Sequence, residues 1–235
     1  MDIEGKGYNE RLFSGGIRSF FHEGRFKWLN AEMKKLNLSS GSVLELGCFD
    51  GKSINYMPFT PEKYFGYDAD WEGGLDMGKV LWKHKPEYKF EFCDSPALFN
   101  PSDEVFDYCI SMETLEHLPL ASSDEFLEKM ASSTRSYGFF SIPNEQGILF
   151  LIKYFIKKNF LQLTEPHTTK ELIYALKNQP EKIKRSEGLH KGFSYKAEIK
   201  QIQKFFDIIS VKGIPFVHLP LSFNFTIGIV VKKKG

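Results

Sequence analysis

The stretch Val43-Leu44-Glu45-Leu46-Gly47-Cys48-Phe49-Asp50-Gly51 decides how this chain folds. After the turn signal Ser39-Ser40-Gly41-Ser42, a short apolar run enters a loop bounded by Gly47 and Gly51, and a helix is predicted from Lys52 to Met57. Strand, loop and helix follow one another. Glycines in such a loop let backbone approach a ligand, and amides at the start of the next helix face it, so a nucleotide-like ligand fits. A dinucleotide clamp would want G-x-G-x-x-G. This loop is instead G-x-x-x-G preceded by the acid Glu45, which can meet a positive charge.

The same punctuation recurs further along the chain. Tyr64-Phe65-Gly66-Tyr67 ends in Asp68, Tyr88 to Cys93 ends in Asp94 and Ser95, and Phe106 to Ser111 ends in Met112 and Glu113. A fifth strand, Gly138 to Ile142, follows a helix predicted from Ser123 to Thr134 with Phe126, Leu127, Met130 and Ala131 on one face. Strands separated by helical segments imply right-handed crossovers and a mainly parallel, doubly wound α/β sheet, with its ligand crevice beyond the strands' carboxyl ends. Residues 10–37 predict one or two helices. Residues 145–195 read as an insertion: an apolar and basic helix, a loop around Thr164 to His167, a helix from Thr168 to Asn178 and a basic linker to Gly192. A helix from Lys196 to Phe205 then precedes two strands, Asp207 to Gly213 and Asn224 to Lys232, that read as an antiparallel hairpin. We expect a single domain: a helical lid over residues 1–40, a ligand-binding core over 41–144, a substrate-side insertion over 145–195, and a closing helix and strands over 196–235.

Composition limits the function classes. With 235 residues, 42% hydrophobic and 26% charged, the chain describes a globular protein with a sizeable core. Its longest mainly apolar stretch, Gly147 to Ile156, is interrupted by Lys153 and falls short of the roughly 18 to 20 residues a bilayer crossing needs. The first thirty residues lack the order of a secretory signal, so a cytoplasmic location is expected. Cys48, Cys93 and Cys109 lie in or beside apolar runs, which indicates neither a disulfide framework nor a zinc site, and no metal site is expected. Residues 145–235 carry 16 basic and 7 acidic side chains against a net charge of +1 for the whole chain, so the first half is acidic and the second basic. An acidic half suits sugar hydroxyls or a cationic ligand; a basic half suits an anionic substrate or membrane surface.

Chemistry concentrates at the strand ends. Asp68 lies 21 positions after Gly47, close to the roughly 20-residue offset at which an acid binds ribose hydroxyls in doubly wound folds. Asp94 with Ser95 is placed to receive an exocyclic amine, and Ala69 or Trp71 to flank an adenine face. In order and spacing, VLELGCFDG, YFGYDAD, EFCDS and FDYCISMETLEHL resemble the successive motifs of class I S-adenosylmethionine-dependent methyltransferases, over residues 40–145. The resemblance implies a Rossmann-like seven-stranded sheet, with S-adenosylmethionine as cofactor. It puts Glu45, Gly47, Cys48, Phe49 and Gly51 in the cofactor loop, Asp68 at the ribose, and Asp94 and Ser95 at the adenine amine. Ser111, Met112 and Glu113 would flank the methionine moiety. A sulfonium cation with a free ammonium is well served by such an acidic pocket. The family commonly has a glycine where Phe49 stands, which implies a reshaped amino-acid end of the pocket.

Three histidines compete for the catalytic role. A methyl transfer to a hydroxyl needs an oriented acceptor and one base. His117 stands four residues after Glu113, in an E-x-x-E-H-L stretch that resembles ubiquinone-type and sugar methyltransferases; it serves either as base or as a backbone anchor for the loop. His167 and His190 sit in the insertion, each a base, an acceptor ligand or a plain loop residue, with Ser194 a helix cap. His22 and Arg25 fall on the N-terminal lid. The helix over residues 148–161 carries Lys153 and Lys157 one turn apart as a basic stripe, which fits either peripheral membrane contact at the inner face or a cover for the sheet. The expected activity is O-methylation of a small-molecule, sugar or lipid-linked glycan acceptor. Rivals are N- or carboxyl-methylation of a small metabolite, or a non-catalytic partner that binds S-adenosylmethionine. No nucleic-acid partner is expected, because charge is near neutral and no Asn-Pro-Pro-Tyr-type stretch follows the fourth strand.

Overall fold

The apolar run at 43–46 becomes the central strand β1 (Ser42–Leu46) in a computed structural model of the chain, which describes residues 7, 9, 13, 15–101, 104–156, 158, 166–186 and 190–235. Six further strands join it: β2 (Lys63–Asp68), β3 (Tyr88–Phe92), β4 (Phe106–Met112), β5 (Thr134–Pro143), β6 (Phe206–Ile214) and β7 (Thr226–Lys233). They form one seven-stranded sheet in the order β3-β2-β1-β4-β5-β7-β6. β1 to β5 run parallel, while β7 pairs antiparallel with both β5 and β6, as the expected C-terminal hairpin requires. Strand order reverses between β1 and β4, so a crevice opens there at the carboxyl ends. This is the fold class read from the sequence.

Both faces of the sheet are covered, which explains the near-continuous apolar character of β1 and β4. On one face α1 (Gly16–Lys35) and α2 (Gly74–Leu81) contribute Phe26, Leu29, Met33 and Leu75, packed on Val43, Tyr64 and Ile110. On the other, α3 (Leu120–Ser132) and α6 (Tyr195–Phe205) bury Phe126, Leu127, Met130 and Ile202 against Leu44, Leu46 and Phe65. The two-residue period of β1 therefore sends Glu45 to the α1 face. In the insertion, α4 (Gly147–Ile156) and α5 (Thr169–Leu176) close a smaller cluster of Phe150, Tyr154, Ala175 and Ile183.

Several boundaries differ from expectation for identifiable reasons. The segment after Gly51 is a 3-10 helix, Lys52–Tyr56, rather than an α-helix to Met57. Pro58 disfavours helical backbone at Met57, which is extended at φ −65° and ψ 147°. α3 starts directly after Pro119 and stops before Thr134, whose hydroxyl donates to the Met130 carbonyl at 2.6 Å while its backbone begins β5. β7 starts at Thr226 because Asn224 is occupied in the preceding loop, accepting from the Phe216 amide at 2.8 Å and donating to the Pro220 carbonyl at 3.2 Å.

Of the basic stripe expected on residues 148–161, the structure describes Lys153 and not Lys157. Lys153 turns inward onto the Glu145 carboxylate, and the exposed side of α4 is apolar, with Ile148, Ile152, Phe155 and Ile156. Lys157 and residues 159–161 lie outside the described residues, as does most of the stretch before Gly15. Among the described residues no helix is long and apolar enough to cross a membrane.

Candidate functional site

A cavity of about 280 Å³ occupies the crevice. Its walls are the loops that leave β1 to β4, closed by Arg25 and Phe26 of α1 together with Asn9 and Phe13. Strand order puts these loops side by side, although their sequences are spread over some seventy positions.

The β1 loop is shaped by what presses on it. Gly47 has φ +78°, and a Cβ there would lie 1.9 Å from Thr114 Oγ1, so the loop after β4 can close on it only because the side chain is missing. Phe49 adopts left-handed backbone, at φ 48°, a conformation that favours glycine. Its ring turns onto Gly74 at the start of α2, where a Cβ would meet it at 2.3 Å. Phe49 N–H donates to Asp68 Oδ2 and Asp70 N–H to Asp68 Oδ1, each at 2.9 Å, so the β2 acid is clamped by two amides before any ligand arrives. Burial raises the Asp68 carboxyl above its usual range while these amides oppose the shift. Phe49, Asp70, Glu72 and Glu113 all adopt left-handed backbone at the loops around this cavity, a conformation that costs a non-glycine residue on the order of 1 kcal/mol or more.

Below the loop, Glu45 is buried and accepts from Ser53 Oγ and from Tyr64 OH at 2.5 Å. Burial pushes its carboxyl up to about 7, against the pull of the two hydroxyls. Across the cavity, Glu113 meets Arg25 Nη1 at 2.5 Å and accepts from Thr226 Oγ1 at 2.6 Å. Burial alone would raise its carboxyl, but Arg25 first, then His22 and Thr226, hold it down at about 2.

Beyond Glu113 lies a second group of buried charge. Glu116 is fully enclosed, and apart from its own backbone amide its carboxyl has no hydrogen-bond partner among the described residues. His117 Nε2 stands 3.9 Å from Glu116 Oε1. The His117 ring meets His190 edge-on at 4.9 Å between centroids, and Trp71 at 6.0 Å. His190 Nδ1 lies 3.5 Å from Glu145, whose carboxyl is buried yet kept ionised by Lys153 and His190. Arg185 donates to the Glu116 carbonyl at 2.8 Å.

Of the residues read from sequence, Glu45, Gly47, Cys48, Phe49, Asp68, Ala69, Asp94, Met112, Glu113 and His117 line the cavity. Four do not reach its wall, and one histidine stands just behind it. Gly51 is packed under the Phe90 ring, 2.9 Å from where a Cβ would sit. Ser95 turns its carbonyl to the amides of Leu98 and Phe99. Ser111 is fully buried on the sheet face opposite Ile110 and Met112, by the alternation of β4. His167 packs on Phe150 and Tyr154 in the insertion, at 5.5 and 5.2 Å between ring centroids. His190 stands behind His117. The sequence reading named Arg25 only as a lid residue. Its signal was an arginine on the apolar stripe it shares with Leu29 and Met33, at the i, i+4 and i+8 positions of α1.

No family model matches this sequence, and no curated protein does. Solved structures do. An S-adenosylmethionine-dependent methyltransferase from Clostridium acetobutylicum is 9% identical with a TM-score of 0.63, over 97% of this chain and 96% of that one. The methyltransferase solved in complex with the Haloferax volcanii Trm112 activator is 12% identical with a TM-score of 0.60, over 92% and 90% of the two chains. Magnesium protoporphyrin IX methyltransferase from Synechocystis, solved with S-adenosylhomocysteine, is 15% identical with a TM-score of 0.59, over 96% and 92%. The chain therefore has the class I methyltransferase fold.

Proposed function

We propose that this protein is an S-adenosylmethionine-dependent methyltransferase acting on an oxygen of a small-molecule acceptor, with sugars and lipid-linked glycans in that class. One observation carries the reading: acids from four adjacent strand ends, Glu45, Asp68, Asp94 and Glu113, converge on a single cavity walled by the Gly47 to Phe49 backbone. A cationic sulfonium nucleoside complements that charge. Asp68, already oriented by two amides, takes the ribose hydroxyls. Asp94 takes the adenine amine, with Ala69 and Trp71 beside the base. Met112, Glu113 and Arg25 face the amino-acid end, where Arg25 suits a carboxylate and the acids suit an ammonium.

In the transfer, the acceptor oxygen bonds to the methyl carbon as the carbon–sulfur bond breaks, and sulfur keeps the electron pair as a thioether. The hydroxyl proton must leave, and His117 is the histidine on the cavity wall that can receive it. The basic residues of the insertion support an anionic acceptor, and the apolar outer side of α4 supports a lipid-linked one.

Calorimetry with S-adenosylmethionine and S-adenosylhomocysteine tests the reading. Both should bind, and Asp68→Ala should weaken each by about 1 to 3 kcal/mol, roughly 5- to 150-fold. Absence of binding by either compound to the folded protein would overturn it.

A further inference from the structure

We propose that Glu116, His117 and His190 hold a divalent transition-metal ion at the acceptor end of the cavity. One donor atom from each of the three lies within 4.8 Å of the others. The site stands on those residues alone; its use in catalysis rests on the methyl-transfer reading.

Glu116 provides the strongest argument. A carboxyl with no solvent exposure and, among the described residues, no hydrogen-bond partner beyond its own backbone amide is costly, and buried charges in proteins are paired or coordinate metals. Among the described residues no lysine or arginine makes an ion pair with it: Arg25 pairs with Glu113, and Arg185 donates to the Glu116 carbonyl. What does stand beside the carboxylate is imidazole, with His117 Nε2 at 3.9 Å and His190 behind it, its ring edge-on to His117. Two imidazoles and a carboxylate make a donor set for zinc, manganese, iron or cobalt rather than calcium. Bonds of about 2.0 to 2.2 Å require donors roughly 3.4 Å apart, so side-chain rotations of little more than 1 Å close the group.

The surroundings suit a metal as well. Glu145, held ionised by Lys153, faces His190 Nδ1 at 3.5 Å; a carboxylate behind a ligating imidazole orients the ring and raises its basicity. Arg185 fixes the turn that carries Glu116 and His117. Three protein donors leave coordination positions open. Because His117 lines the cavity and Glu116 lies behind it, those positions face the cavity, where an acceptor oxygen would bind and have its proton made more acidic. The histidine pair then serves as ligands, and the hydroxyl proton passes to water.

The test is calorimetry and elemental analysis on metal-stripped full-length protein titrated with Zn²⁺, Mn²⁺ and Mg²⁺, with Co²⁺ as a visible-absorption probe. About one equivalent of Zn²⁺ or Mn²⁺ should bind, and ligand-field bands should appear with Co²⁺. Glu116→Gln and His190→Gln should each weaken metal binding roughly tenfold or more, with S-adenosylhomocysteine affinity changed less than about twofold. His190 is part-exposed, so its variant keeps the question answerable if Glu116→Gln does not fold. Metal binding that is absent, or equal in wild type and both variants, overturns the site; saturation by Mg²⁺ alone overturns the transition-metal assignment. Loss of metal with intact nucleoside binding sinks only this proposal, whereas metal binding without nucleoside binding sinks the methyl-transfer reading and leaves the site standing.

Discussion

Glu45 and Glu116 are both carboxylates sealed from water beside one cavity, yet their surroundings are opposite. Glu45 sits under the β1 loop with two hydroxyls aimed at it, one from Ser53 eight residues on and one from Tyr64 on the neighbouring strand. Glu116 sits past β4 with no hydroxyl, amide or ammonium supplied by another of the described residues. The contrast separates two uses of buried charge. At the β1 end, polar groups are satisfied within the protein and stiffen a loop whose amides and acids are set in advance for a ligand. At the β4 end, satisfaction is left to something that arrives.

The largest expected effect lies between these extremes, at Glu113. Glu113→Ala would leave Arg25 buried beside a vacated partner and should destabilise the fold by about 3 to 5 kcal/mol in denaturant titration. A loss below about 1 kcal/mol would mean that the pair does not tie α1 to the sheet.

Glu45→Gln probes the satisfied side through pH. With its carboxyl raised from 4.5 to about 7, Glu45 binds its proton more tightly in the folded than in the unfolded chain, so its contribution is full below about pH 4.5 and is lost as pH rises through 7. That loss is on the order of 3 kcal/mol. Glu45→Gln should therefore be most destabilising relative to wild type near pH 5 and least so near pH 8, read as the difference in thermal midpoint at the two pH values. A difference independent of pH would remove Glu45 from this role.

The smallest effect is a gain. In metal-free protein, Glu116→Gln replaces an unpaired buried carboxylate by a neutral amide and should raise stability by about 1 kcal/mol, or roughly 2 to 4 °C in Tm. A fall of that size would show that the carboxylate has partners inside the fold after all, and would erase the contrast with Glu45.

Much of the site was legible because it is local. Glu45, Asp68, Asp94 and Glu113 each sit at or next to the end of an apolar run, and a short apolar run with a glycine or acid at its end reads directly from sequence. Phe49 was visible as a departure, but not its resolution: the ring lands on Gly74, and no local pattern links those two positions. Ser95 and Ser111 looked eligible beside the acids, yet alternation along β4 and the turn after β3 point them elsewhere.

Sequence by itself determined the strands, their acidic ends and the C-terminal hairpin, because hydrophobic period and glycine placement act over a few residues. Only the tertiary structure decided which distant groups share the cavity: Arg25 against Glu113, 88 positions away, and His190 behind His117. Such pairings follow from strand order and from how α1 and the insertion pack, and both are set by the burial of whole faces rather than by any short stretch of chain.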